Sequence, residues 1–132
     1  MPFRYARTGV CLTTAAPQLQ GTWQCVALRD GGRSSTPEDL TWTFQGNEVI
    51  VQAGGQTLRG TYKLSRFLVV HRFIDVTVPQ TPGGEPTTFY GSYAFTEGGL
   101  SVCYNSSAEL RPKTVRPNAD NGDVRYDFRR KQ

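Results

Sequence analysis

The sequence is poor in the side chains that bind metals and activate nucleophiles. Its 132 residues include a single histidine, His71, and three cysteines, Cys11, Cys25 and Cys103. A zinc site needs three or four ligands at fitting spacings, and the chain has neither a CxxC pair nor a second histidine. We therefore expect no metal site. Three cysteines without paired spacings are not a disulfide framework, which favours a reducing compartment.

Common catalytic and phosphate-binding motifs are absent as well. Glycine pairs occur at 54–55, 83–84 and 98–99, where they are typical of tight turns rather than of a loop that cradles phosphate. The sequence contains no GxSxG elbow. Its glutamates fall in loops or at strand ends, so no pair of carboxylates faces a common site. We expect no cofactor.

Long hydrophobic runs are also missing. No segment approaches the ~20 apolar residues that would span a membrane. The apolar stretch near the N-terminus is interrupted by Thr8, Thr13 and Thr14, which fits a secretion signal poorly. We therefore expect a cytoplasmic protein without a membrane span. Residues 1–18 show no periodicity, so we predict a flexible N-terminal segment followed by one domain over 19–132.

Positive charge is in excess but is not concentrated. The net charge is +4, and the one dense basic run is Arg129-Arg130-Lys131 at the C-terminus. Nucleic-acid binding requires lysines and arginines clustered on one face of the protein. Because the other basic residues are scattered singly, we expect no nucleic-acid partner.

What the sequence does contain is a long series of alternating apolar and polar residues. This period-2 pattern is typical of β-strands with one buried face. Short turns join most strands in chain order, which indicates an all-β, antiparallel, up-and-down meander, and eight strands are enough to close into a small barrel. One short helical turn is expected near residues 35–40, because Ser35 and Glu38 have the spacing of a capping box. The predicted strands are Leu19–Arg29, Leu40–Phe44, Glu48–Gln52, Gln56–Leu64, Phe73–Val78, Thr87–Phe95, Leu100–Tyr104 and Val124–Arg130.

Alternation also assigns the two faces of the sheet. The face that includes Trp23, Cys25 and Ala27 is apolar in every strand, whereas charged residues such as Asp75 fall on the other face. The apolar face is therefore predicted to be the barrel interior, and Cys103 is predicted to face outward. Gly60 and Gly91 lie on the inner face, where they leave room for a ligand or allow the strands to bend.

The ordered series of motifs resembles a known family. The motifs are Leu19-Gln-Gly-Thr-Trp23, Leu40–Asn47, Gln56–Leu64, Ile74–Val76, Tyr90–Phe95, Leu100–Tyr104 and Arg111-Pro112. Together they are similar to the small lipocalin-like domain found in many uncharacterised proteins of planctomycetes and related bacteria. The resemblance covers residues 19–130 and implies a lipocalin-like barrel but little about activity, and many relatives carry a secretion signal. It also implies that Trp23 closes one barrel end and packs on a late basic residue, either Arg125 or Arg129.

The leading functional hypothesis is that a small hydrophobic or aromatic molecule binds inside the barrel. An interior that combines apolar side chains with a few tyrosine hydroxyls is typical of small-ligand sites. The residues predicted to line this site are Trp42, Tyr62, Phe89, Tyr93 and Tyr104.

Two alternatives remain open from the sequence. One is a cofactor-free cyclase or isomerase that acts on an apolar, natural-product-like substrate in the same cavity. Its catalytic candidates are Tyr62, Tyr93 and His71, which is expected in a loop between two strands. The other is a protein-interaction module with a solid core that uses the loop at 79–86 or at 105–122. The protein is expected to be a monomer or a homodimer.

Overall fold

The structure is a computed structural model that describes residues 17–37, 39–67 and 71–131. Short 3-10 helices at Ala108–Leu110 and Ala119–Asn121 lie in the longest connection, and no described helix is long and apolar enough to cross a membrane. The predicted flexible segment 1–18 falls mostly on residues 1–16, which lie outside the described residues. The strands are Gly21–Asp30 (β1), Arg33–Ser35 (β2), Thr41–Gln45 (β3), Glu48–Ala53 (β4), Gln56–Phe67 (β5), His71–Pro79 (β6), Pro86–Thr96 (β7), Gly99–Asn105 (β8) and Val124–Arg130 (β9).

The strands form a closed antiparallel barrel. From β3 to β9 each strand pairs with the next one in the chain, and β9 pairs back onto β1. On its other side, β1 pairs with β3 through Gly21–Gln24 and with the short β2 through Leu28–Asp30. The strands β2 and β3 therefore lie one after the other along the same edge of β1. The barrel therefore has eight positions around its wall. The predicted eight-stranded, antiparallel, up-and-down barrel is confirmed.

The short helical turn predicted near residues 35–40 is wrong for the residues described there. Ser35 ends β2, in register with Leu28 across the hairpin, and Thr36, Pro37 and Leu40 adopt no helical structure. The carbonyl of Leu40 accepts a hydrogen bond from the backbone N–H of Cys25, 2.9 Å away. Pairing with β1 therefore holds both ends of this segment in extended conformation. This pairing outweighs the capping-box spacing of Ser35 and Glu38, and Glu38 itself lies outside the described residues.

A bulge in β1 changes the assignment of one inner-face residue. The pairing of β1 with β9 shifts by one residue at Val26, so that Leu28 pairs with Tyr126 and Ala27 pairs with Asp127. Directly paired residues share a face of the sheet. Leu28 therefore lies on the inner face with Tyr126, and the prediction that Ala27 faces inward was wrong, because a bulge cannot be read from alternation alone.

The end of the barrel at which β1 begins, here called the closed end, is sealed by Trp23. Its side chain is only 3% exposed, and the indole Nε1 donates a hydrogen bond to the carbonyl of Leu19 at 2.9 Å. The guanidinium of Arg130 lies 4.2 Å from the centroid of the Trp23 ring and donates hydrogen bonds to the carbonyls of Gln18 and Gln20. Trp23 and Arg130 thus tie the segment before β1 to the last strand.

The basic partner of this indole is Arg130, and not Arg125 or Arg129 as predicted. Phe128 faces the core, so Arg130, two residues later, continues on the same face while Arg129 points to the other side. The side chain of Arg125 lies on the outer wall, where it forms an ion pair with Asp127 at 3.0 Å.

A second set of contacts at the closed end involves Gln20. Its side-chain amide accepts a hydrogen bond from the backbone N–H of Gly46 at 2.8 Å and donates to the hydroxyl of Tyr62 at 2.8 Å. That hydroxyl donates in turn to the carbonyl of Gly46 at 2.6 Å, and the Tyr62 ring packs edge-on against Phe44 at 4.9 Å. The turn between β3 and β4 is thereby fastened to the start of β1.

The outer wall of the barrel is covered on one side by residues 106–123, here called the outer strap. Arg111 of this strap pairs with Asp75 at 2.6 Å, and its guanidinium lies over the rings of Phe73 and Tyr90. Beneath the strap, Cys103 faces outward as predicted but is 0% exposed. The strap therefore creates a second buried layer on a face that alternation assigns to solvent.

Gly60 and Gly91 allow close packing rather than leaving space. A Cβ atom at Gly60 would collide with the carbonyl of Thr77 and lie 2.5 Å from Cγ1 of Val78. A Cβ atom at Gly91 would lie 2.5 Å from the carbonyl of Cys103 and 3.0 Å from Cβ of Tyr104. In both places a neighbouring strand occupies the volume that a side chain would need.

Candidate ligand-binding cavity

A cavity of about 190 Å³ occupies the half of the barrel opposite the closed end. It extends to the rim at Pro79 and Gln80, where β6 leads into the β6–β7 loop, and we call this the open end. Each strand from β3 to β9 contributes to its wall, and their inward side chains are mostly apolar. The lining residues are Leu40, Trp42, Val51, Leu58, Ile74, Val76, Val78, Pro79, Gln80, Phe89, Val102, Tyr104 and Tyr126.

Aromatic rings form one side of this cavity. Phe89 on β7 packs edge-on against Tyr104 on β8, with ring centroids 5.2 Å apart, and Tyr104 lies 5.5 Å from Tyr126 on β9. Trp42 on β3 meets Tyr126 edge-on at 5.5 Å. Edge-to-face contacts at these separations are favourable and hold each ring in a defined orientation. The aromatic side is therefore preorganised.

The opposite side of the cavity is aliphatic. It is formed by Val51 and Leu58 on β4 and β5 and by Ile74, Val76 and Val78 on β6. Three β-branched side chains follow each other on β6 because alternate residues of a strand point to the same face. A molecule in the cavity would thus contact rings on one side and methyl groups on the other.

Two hydroxyl groups interrupt the apolar wall. The Tyr104 hydroxyl donates a hydrogen bond to the Tyr126 hydroxyl at 3.2 Å. Burial raises the pKa of both phenols, and the nearby negative charge of Asp30 raises them further. Both groups are therefore neutral at physiological pH and can act as hydrogen-bonding groups but not as bases.

The five residues predicted to line a ligand site divide between the two ends. Trp42, Phe89 and Tyr104 line the cavity. Tyr62 and Tyr93 do not: the Tyr62 hydroxyl is engaged by the Gly46 turn, and the Tyr93 ring packs at 5.9 Å against Phe95, which contacts Trp23. Alternation places all five residues inside the barrel but does not tell which end each one occupies.

The third catalytic candidate, His71, lies outside the cavity. It is the first residue of β6, paired with Phe67, and not part of a loop as predicted. Its Nδ1 is 3.0 Å from the carbonyl of Lys113 in the outer strap, and its ring stacks on Phe73. Asp75, the nearest carboxylate to His71 in the sequence, is paired with Arg111. The structure thus brings none of His71, Tyr62 and Tyr93 to the cavity.

Several lining residues were not selected from the sequence. Tyr126 is the most important of them, because it supplies half of the hydroxyl pair. Alternation places Tyr126 on the inner face, so a sequence signal was present, but alternation alone does not distinguish it from Tyr62. Pro79 and Gln80 were assigned to a loop, and no sequence signal places them at a cavity rim. Within the described ranges, no group of three or more His, Cys, Asp or Glu side chains is arranged to hold a metal ion.

Comparison with known proteins gives a loose structural similarity and no family. The chain matches no family model and no curated protein. Among solved structures it aligns with the crystal structure of a lipocalin-like protein from Bacteroides uniformis ATCC 8492 at 1.79 Å resolution, with 16% identity, 86% of this chain and 98% of that chain covered, and a TM-score of 0.28. A likeness of this strength carries no functional inference, and the barrel assignment rests on the strand pairing of the chain itself.

Proposed function

We propose that the protein binds one small, predominantly apolar molecule in the cavity at the open end. The observation that carries the proposal is a preorganised cavity of about 190 Å³ whose walls are aromatic on one side and aliphatic on the other. Such a site buries most of a small ligand's surface and offers few polar groups, which is what small-ligand pockets have in common.

Size limits the ligand. The cavity is somewhat larger than an apolar cavity of about 150 Å³ that holds benzene, and it is smaller than the roughly 300–1,000 Å³ of pockets for drug-sized molecules. A single substituted ring is the best match. Burial of ~150–250 Å² of apolar surface at ~25 cal/mol per Å² contributes about 4–6 kcal/mol, which corresponds to a Kd of roughly 0.05–1 mM.

Binding is favoured over acid–base catalysis by the chemistry of the wall. Among the described lining residues, the ionisable side chains are Tyr104 and Tyr126, and burial raises the pKa of both. A general acid or base works best when its pKa is near the operating pH. The hydroxyl pair is suited to orient a ligand and poorly suited to exchange protons with one. The cavity also argues against an interaction module with a solid core.

Toluene binding tests this proposal directly. We expect ligand-observed NMR to give a Kd below about 1 mM for the wild-type protein. Leu58→Trp places a larger side chain in the cavity and should weaken toluene binding at least about fivefold, because it removes volume that the ligand needs.

The matched control is Arg59→Trp, which introduces the same side chain on the exposed face of the same strand. This variant should bind toluene as the wild type does. Equal loss in both variants, equal binding in all three proteins, or no binding by the wild type would contradict the proposal.

A further inference from the structure

The hydroxyl pair on the cavity wall has a defined direction. Tyr104 is the donor and Tyr126 the acceptor of their shared hydrogen bond at 3.2 Å. The proton of the Tyr126 hydroxyl has no acceptor among the residues that the structure describes. Because both side chains line the cavity, this proton is available to a molecule bound there.

We infer that the cavity selects a neutral aromatic molecule that carries one hydrogen-bond acceptor, such as an aryl ketone, aldehyde or ester, and that Tyr126 donates to that acceptor. The inference deepens the proposed function and rests on it. Tyr126 would be the specificity-determining group, and Tyr104 would position it.

The arrangement strengthens the Tyr126 donor. A hydroxyl that already accepts a hydrogen bond becomes a better donor, because successive hydrogen bonds in a chain polarise one another. The chain would run from Tyr104 to Tyr126 and on to the ligand oxygen. In addition, the Tyr126 ring is held edge-on to Trp42 at 5.5 Å and packed on Tyr104 at 5.5 Å, so little side-chain freedom remains to be lost when a ligand binds.

Charge disfavours an anionic ligand in the same place. Asp30, at the end of β1, is close enough to the two phenols for its carboxylate to disfavour their ionisation. No lysine, arginine or histidine is among the lining residues that the structure describes. A carboxylate in the cavity would therefore lose its hydration without gaining a cationic partner, whereas a carbonyl oxygen needs only the single donor.

The inference is tested with two probes of nearly equal shape. Acetophenone carries a carbonyl oxygen where α-methylstyrene carries a methylene group. Tyr126→Phe should weaken acetophenone binding by about three- to tenfold, the net worth of one hydrogen bond, and should leave α-methylstyrene within about twofold of the wild type. Infrared spectroscopy of bound acetophenone should show a carbonyl stretch at lower frequency in the wild type than in Tyr126→Phe.

Two further variants complete the design. Tyr104→Phe should weaken acetophenone binding less than Tyr126→Phe does, because it removes only the polarising donor. Tyr62→Phe removes a hydroxyl at the closed end and should leave the ratio of the two affinities unchanged.

The possible failures are distinguishable. If both probes bind and Tyr126→Phe affects them equally or not at all, the hydroxyl inference is overturned while the proposed cavity function stands. If benzoate binds the wild type as tightly as acetophenone at neutral pH, the preference for neutral ligands is overturned. If neither probe binds, the proposed function fails as well.

Discussion

At the closed end of the barrel Trp23 and Tyr62 are tied to the backbone by hydrogen bonds, whereas at the open end comparable rings surround a cavity. The Trp23 indole donates to Leu19 and lies under the guanidinium of Arg130. Trp42, the other tryptophan, instead contacts the rings of Phe44, Tyr126 and Phe128 and lines the cavity. The same residue type therefore seals one end and forms part of the cavity wall at the other.

The two ends differ in how their polar groups are used. Long-range polar contacts at the closed end join the segment before β1, the β3–β4 turn and the end of β9. At the open end the described tyrosine hydroxyls bond to each other, and neither holds a distant part of the backbone in place. We expect substitutions at the closed end to reduce stability and those at the open end to change ligand binding.

The largest expected effect comes from removing the closing tryptophan. Trp23→Ala should lower the free energy of unfolding by about 3–5 kcal/mol, because a large buried ring is lost and the Leu19 carbonyl loses its donor. Urea denaturation followed by circular dichroism measures this loss. Phe89→Ala, on the cavity wall, should cost less because part of its ring already faces empty space. An equal loss in the two variants would remove the distinction between the ends.

The next effect comes from the arginine that packs on this ring. Arg130→Ala should destabilise the protein by about 1–3 kcal/mol, since it removes a cation–π contact and two charge-assisted hydrogen bonds to carbonyls. Arg129→Ala, on the adjacent exposed residue, should change stability by less than about 0.5 kcal/mol. Thermal unfolding of the two variants provides the comparison, and similar melting temperatures would contradict the assignment of Arg130 to the closed end.

The smallest effect at neutral pH concerns the thiol of Cys103, which is buried beneath the outer strap. Burial raises the pKa of Cys103 to about 12 from about 9, so the unfolded chain releases this proton at lower pH than the folded one does. The contribution to stability is complete below pH 9 and is lost as the pH rises towards 12. Its slope is at most about 1.4 kcal/mol per pH unit.

Urea denaturation between pH 8 and 11 in the presence of a reductant measures this dependence. Cys103→Ala should lose stability less steeply with rising pH than the wild type, whatever its stability at pH 8. Identical slopes would contradict a raised pKa of Cys103 in the folded protein.

Strand number, strand order and the inner face could be predicted from the sequence, because the alternation of apolar and polar residues is a local property of each strand. The same property explains the errors. The bulge at Val26 reverses the parity that places Ala27 inside, and pairing with β1 overrides the capping signal at Ser35. His71 is a strand residue because β5 and β6 run further than their apolar pattern. The burial of Cys103 could not be foreseen, since it depends on a strap that returns across the outer wall.

The alternating pattern of the sequence is sufficient to specify an eight-stranded barrel with an apolar interior, because a two-residue period commits every strand to one buried face. Which inward residues line the same cavity depends on the closed barrel as a whole. Alternation places all four inward tyrosines inside the barrel, namely Tyr62, Tyr93, Tyr104 and Tyr126. They differ in height along the barrel axis, because each strand has its own height. That height follows from strand register and turn length around the whole closed sheet, which no single strand encodes.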